Sequence, residues 1–176
     1  MEGQEGRAQM NELRVLHLPT VWTVLLDIAA WFVIHMGVVG AMVSLPVDRF
    51  SPAQWPFRER FWELGGRIYE WMGVRRWKDV LPDGADILRW RSFRKSHLAA
   101  STSEYLDRFS RETCRAEATH VLTMVWAPLF FFWNPVWVGW LMIVYASCEN
   151  LPLIVAQRYN RIRLERLLRR AGRRAS

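Results

Sequence analysis

The chain has 176 residues, 51% of them apolar and 14% aromatic, enough to bury a core and too apolar to stay disordered. Its mean hydropathy of -0.05 averages two very apolar stretches against an Arg-rich remainder, and eleven Trp residues favour a membrane protein, because indole rings concentrate where one side is apolar and the other wet. The formal charge of +7 gathers at the carboxyl end, where residues 158–176 carry eight Arg against one Glu, and with no nucleic-acid motif beside it this charge fits a cytoplasmic anchor on anionic headgroups, not nucleic acid.

From Thr20 to Leu45 the chain reads TVWTVLLDIAAWFVIHMGVVGAMVSL, 26 residues whose only titratable side chains are Asp27 and His35. At 1.5 Å per residue this crosses a bilayer. The apolar core is too long and the start not basic enough for a cleaved signal, so a retained helix is expected. Asp27 and His35, eight residues apart, share a face and form a polar stripe.

Residues 46–117 form a polar middle segment. In it Phe57, Phe61, Leu64, Ile68, Trp71 and Met72 recur at helical spacing among Arg58, Arg60, Glu63, Arg67 and Glu70, which predicts an amphipathic helix lying in the membrane interface or packed on soluble neighbours. Gly65-Gly66 weakens it. Lys78, Asp79 and Asp83 then surround a Pro82-Asp83-Gly84 turn, either as solvated charges or, beside Trp71 and Trp77, as a holder of phosphate. Residues 89–97 interleave bases and aromatics in a way that suits headgroup or coenzyme phosphate contact beside a membrane, and His97 is read as a surface residue.

Glu112-Thr-Cys-Arg115-Ala-Glu117-Ala-Thr-His120 places Glu117 and His120 on one helical face, with Arg115 near Glu112, at the mouth of the next apolar stretch. The spacing fits a general base oriented by a carboxylate, half of a metal motif, or a paired helix end. Ala118 to Gln157 is about two crossings long and breaks at Trp133-Asn134-Pro135, since Pro disfavours helix in the residue before it. A helical hairpin is expected, its second arm interrupted by Glu149, Asn150 and Pro152, which would also suit a re-entrant segment. Cys114 and Cys148 have no metal or redox spacing and are expected to be reduced, and Cys114 is an alternative nucleophile for which the sequence offers no depressed-pKa argument. Arg158, Arg161 and Arg163, in the run Gln157-Arg158-Tyr159-Asn160-Arg161, either grip phosphate or anchor the chain on the positive side.

Together these elements predict one all-α integral membrane domain: a first span at 20–45, an interfacial and cytoplasmic segment at 46–117, a hairpin at 118–157 and a basic cytoplasmic tail at 158–176. Three crossings put both basic segments on the cytoplasmic side of the cell membrane.

Arg76-Trp77-Lys78 with Leu81 and Asp83-Gly84, then Glu112, Arg115-Ala116-Glu117 and His120, then Asn150, Pro152, Gln157-Arg158-Tyr159-Asn160-Arg161 and Arg163-Leu164, resemble in this order the glycosyl-4,4'-diaponeurosporenoate acyltransferase family of carotenoid-finishing membrane enzymes. The resemblance spans roughly residues 60–165. It implies transfer of a fatty acyl group from a thioester donor of the acyl-CoA type to a sugar hydroxyl of a membrane glycolipid, with no further cofactor or metal. His120, oriented by Glu117, would then be the base, with Asp83 orienting the turn or the acceptor. Lys78, Trp77, Glu112, Arg115, Asn150, Gln157, Arg158, Tyr159, Asn160, Arg161 and Arg163 would contact substrates. Two readings from other classes stand beside it. One is a non-catalytic membrane protein that binds anionic lipid or a partner enzyme; the other is a metal-dependent enzyme using Glu112, Glu117, His120 and Asp79 or Asp83.

Overall fold

The computed structural model describes residues 15–78 and 103–175, and among them the fold is entirely helical. Helix α1 is Thr20–Ser44, α2 Arg67–Trp71, α3 Val74–Trp77, α4 Ser103–Val125 and α5 Val136–Ala175, with short 3-10 turns at Val47–Arg49, Phe61–Gly66 and Ala127–Phe132. Contacts divide the chain into two compact units. One holds the described residues up to Ser44 with Thr119–Leu151; the other holds those of Leu45–Ala118 and from Pro152 onward.

The first unit is built on apolar residues. Trp31 of α1 stacks on Phe130 with ring centroids 4.6 Å apart, meets Tyr145 edge-on, and donates its indole N–H to Met142 Sδ at 3.4 Å. Pro128 helps end α4, because it lacks the N–H that a continuing helix needs and its ring crowds the preceding turn. The chain then tightens into the 3-10 turn and reverses at Asn134-Pro135, where the sequence places the hairpin turn. Asp27 secures that reversal: its Oδ1 accepts from Trp133 Nε1 and from Asn134 Nδ2, each at 2.7 Å. Gly139 lies against the ring of Phe131, and any Cβ there would overlap the ring.

Two described helices are long and apolar enough to cross a membrane, Thr20–Ser44 and the stretch Val136–Arg169 of α5. Only 11% and 17% of their most apolar windows are buried in the protein. The core helix of a soluble protein would be mostly covered, so this uncovered apolar surface points to association with lipid. The third crossing expected at the first hairpin arm has no helix of crossing character. α4 is polar as far as His120, and only its last turn and the 3-10 turn after it are apolar, short of the roughly 20 residues a crossing takes.

The second unit corrects the expected amphipathic helix. The chain from Phe57 to Met72 is not one helix. Leu64, Gly65 and Gly66 have φ of +50°, +67° and +86°, which ends the 3-10 turn and restarts the chain as α2 in a new direction. The apolar set consequently splits. Phe57 is buried, and Ile68 packs on a core of Tyr69, Val74, Tyr159 and Ile162; Phe61, Leu64, Trp71 and Met72 are exposed. Gly66 is needed for close approach as well as for its φ, since a Cβ would lie 3.2 Å from Ile162 Cγ2.

Candidate functional site

In the second unit, four charged side chains are buried together. Glu63 is fully buried at the third position of its 3-10 turn, where its carboxylate accepts from the Arg60 backbone N–H and the Tyr69 hydroxyl. Arg158 of α5 donates Nε to Glu63 Oε1 at 2.8 Å, Nη2 to Glu63 Oε2 at 2.9 Å, and Nη1 to Glu117 Oε1 at 2.7 Å. Arg161, one turn later, takes the other oxygen of Glu117. Two carboxylates thus meet two guanidiniums with no charge left over, and the fork of Arg158 satisfies both acids at once. Burial alone would raise the Glu63 carboxyl, but the hydrogen bonds from Arg158, Tyr69 and the Arg60 backbone hold it below the usual carboxylate range.

This network changes the roles expected of three residues. Arg158 gives all three of its donor nitrogens to Glu63, Glu117 and the Pro56 and Arg58 carbonyls, and Arg161 gives Nη2 to Glu117 while its Nη1 is buried without a hydrogen-bond partner, so the charge of both is matched inside the protein and not presented at the surface. Glu117 binds the two arginines; it is not the group that orients His120. Sequence spacing could only suggest the neighbour three residues away, whereas the partners that win are 41 and 44 residues away. Glu63 was legible only as one polar residue of an amphipathic pattern.

His120 instead meets Asn150, its Nδ1 lying 2.9 Å from Asn150 Oδ1. Asn150 is buried, and its Nδ2 donates to the Ala146 carbonyl at 2.9 Å. A carbonyl only accepts, which fixes the amide with Oδ1 toward the ring. Nδ1 of His120 therefore carries the proton, and Nε2 keeps its lone pair. The same unit holds a second histidine pair: His35 Nδ1 is 2.8 Å from the Trp31 carbonyl, and its Nε2 is 3.3 Å from Glu149 Oε1. Asp27 and His35, expected to form one stripe, serve different partners.

The other residues singled out in the sequence are placed as follows. Glu112 and Arg115 form an ion pair on α4. Trp77 packs on the Tyr69 core and donates its indole N–H to the Met72 carbonyl at 3.2 Å, and Tyr159 is itself part of that core. Lys78, Gln157 and Asn160 are half-buried, and exposed Arg163 lies over the Tyr159 ring at 5.6 Å. Asp83 and Asp79 lie outside the described residues. Cys114 is fully buried, and burial pushes its thiol up to about 11, which leaves almost no thiolate at neutral pH. The described residues contain no group of three His, Cys, Asp or Glu side chains that could hold a metal ion. An open groove of about 660 Å³ in the second unit is lined by Arg58, Arg60, Arg111 and Arg169 together with Glu59, Asp107 and Glu165.

A family model described as glycosyl-4,4'-diaponeurosporenoate acyltransferase matches residues 52–170. The chain belongs to this family. Curated acyltransferases of that name from Staphylococcus aureus strains bovine RF122 / ET3-1 and USA300 are each 30% identical over 140 residues, covering 79% of this chain and 84% of the relative. That of strain Newman is 29% identical over the same length. No solved structure matches the chain. The protein is thus an acyltransferase, and the matched stretch contains the Glu63–Arg158–Glu117–Arg161 network and the His120–Asn150 pair. Asp27 and His35 of α1 precede it.

Proposed function

We propose that this acyltransferase moves a fatty acyl group from a thioester donor of the acyl-CoA type to a sugar hydroxyl of a membrane glycolipid such as a carotenoid glycoside. It does so as a multi-pass protein of the cell membrane whose middle segment and tail, parts of one unit, are cytoplasmic; the apolar end of α4 and the 3-10 turn after it make a short first arm of the hairpin, and α5 returns to the cytoplasmic side. The observation that carries the reading is the His120–Asn150 pair, which leaves Nε2 of a half-buried imidazole free to accept a proton. The names of the relatives supply the acceptor class, and the basic tail supports the orientation.

In the reaction, Nε2 of His120 takes the hydroxyl proton as the sugar oxygen attacks the thioester carbonyl. The C–S bond then breaks, and the imidazolium returns its proton to the departing thiolate, so that one ester and one free thiol result. Asn150 holds the ring in the required tautomer. Within the second unit, exposed Arg163 and the arginines of the groove, Arg58 and Arg60, are the cations available to a phosphate in place of Arg158 and Arg161. Asp83 orients the acceptor sugar, a role that rests on the family motif. The test is mass spectrometry of lipids from a host expressing the parent or His120→Ala and fed candidate glycolipids with an acyl donor. The parent adds the mass of one acyl chain to a glycolipid and the variant does not. Full transfer by a folded His120→Ala protein would end this reading of the base.

A further inference from the structure

The second unit buries some apolar side chains of residues 55–77 and leaves others bare. Phe57, Tyr69 and Val74 are buried, so the unit has a core to offer them. Trp55, Phe61, Trp62, Leu64, Trp71 and Met72 stay outside it, Phe61 93%, Trp55 81% and Trp71 71% exposed. Side chains of this size gathered bare in so short a stretch of chain mark a surface that meets something other than water. The left-handed residues Leu64, Gly65 and Gly66 produce the arrangement, because they fold the 3-10 turn Phe61–Gly66 against α2. Phe61, Trp62 and Leu64 on the turn and Trp71 at the end of α2 thus belong to two packed elements. Trp55 joins them through Arg60, whose guanidinium lies over its ring at 5.7 Å.

Two observations identify what covers this surface. The first is charge. Arg67 of α2 and Arg75 and Arg76 of α3 are exposed against one acid on those helices, Glu70, while Glu63 on the turn is buried and neutralised by Arg158. Indole and phenyl rings beside an excess of arginine fit the boundary of an anionic membrane, where rings sit at headgroup depth and guanidiniums meet phosphates. The second is attachment. Ile68, Tyr69, Val74 and Trp77 pack with Val155, Tyr159 and Ile162 of α5, inside the stretch Val136–Arg169 that is apolar and long enough to cross a bilayer. The turn and its two short helices are therefore fastened directly to a membrane helix.

We propose that Trp55, Phe61, Trp62, Leu64, Trp71 and Met72 form a face seated in the headgroup layer of an anionic membrane, with Arg67, Arg75 and Arg76 on lipid phosphates. This gives the segment an interfacial role without the single helix that its spacing predicts. It rests on the association of the chain with lipid and not on the reading of His120 as the base.

The experiment is electron paramagnetic resonance of the full-length chain in vesicles, with Cys114→Ala and Cys148→Ala in place and a nitroxide on one new cysteine at a time: Phe61→Cys, Trp71→Cys or Trp55→Cys. Collisions with oxygen, which concentrates in lipid, are compared with collisions with a water-soluble nickel chelate. Phe32→Cys, at an exposed position of α1, gives the lipid reference and Ser176→Cys the aqueous one. In vesicles of phosphatidylglycerol and phosphatidylcholine, the oxygen-to-nickel ratio for Phe61→Cys and Trp71→Cys is several-fold above that for Ser176→Cys and below that for Phe32→Cys. Adding Arg67→Gln, Arg75→Gln and Arg76→Gln together, or using phosphatidylcholine alone, lowers it. Ratios for all three labelled positions equal to that for Ser176→Cys, in chains that melt with the cysteine-free parent, overturn the proposal. Poor access of both reagents also overturns it, since that is the mark of a protein partner or a second copy over these side chains. A ratio unmoved by either change of charge overturns the anionic surface as the occupant.

Discussion

Arg158 is the residue on which the second unit most depends, since it alone donates to both Glu63 and Glu117. Arg158→Met keeps much of the side chain's volume but leaves two buried carboxylates short of a counter-charge, a loss expected to cost about 3–5 kcal/mol. The detergent-solubilised variant should therefore unfold at clearly lower denaturant or temperature than the parent. The acid side of the pair gives a pH dependence whose sign is fixed. The folded Glu63 carboxyl lies below its unfolded value, so its contribution is present in full above the unfolded value of about 4.3 and is lost as pH falls through the folded value. Melting temperature measured downward from neutral pH should drop in that acidic window. Glu63→Gln, less stable at neutral pH, should show a flatter decline there.

At the scale of elements, the restart of the chain at Gly66 is the sharpest constraint. Gly66→Ala puts a Cβ in left-handed backbone, at about 1–2 kcal/mol, and also against Ile162. Gly73→Ala meets the same kind of φ, +67°, with open space around it. Denaturation of the two variants should show Gly66→Ala the less stable. That restart also explains where sequence reading succeeds and fails. The first apolar helix was legible almost to the residue, 20–45 against Thr20–Ser44, and so was the turn at Asn134-Pro135, because an apolar run and an Asn-Pro pair are local signals. The amphipathic helix was not, because spacing assumes one continuous axis: Phe57 lies in the turns before the 3-10 turn that carries Phe61 and Leu64, and three left-handed residues then separate that turn from Ile68. His120 and Asn150 were each legible as polar residues at the margins of apolar runs, yet their pairing across 30 residues was not. For Glu117 the local neighbour was chosen over two arginines that only the folded chain brings within reach.

For the whole molecule, uncovered apolar surface on α1 and on the first part of α5 gives the lipid its place, and the proposed orientation can be checked directly. In a chain lacking Cys114 and Cys148, a cysteine at Ser176 should react with a membrane-impermeant maleimide in inside-out vesicles and stay unlabelled in right-side-out ones. A cysteine at Trp137, exposed beside the hairpin turn, should label from the opposite side. The buried arginines carry a further consequence, for biosynthesis. The ribosome makes Glu63 95 residues before Arg158, and Glu117 41 and 44 residues before Arg158 and Arg161. Both acids thus wait unneutralised until the last helix emerges. A nascent chain stalled in α5 before Arg158 carries two carboxylates without the guanidiniums that close on them, which makes the emergence of Arg158 and Arg161 the step that commits this unit to its fold.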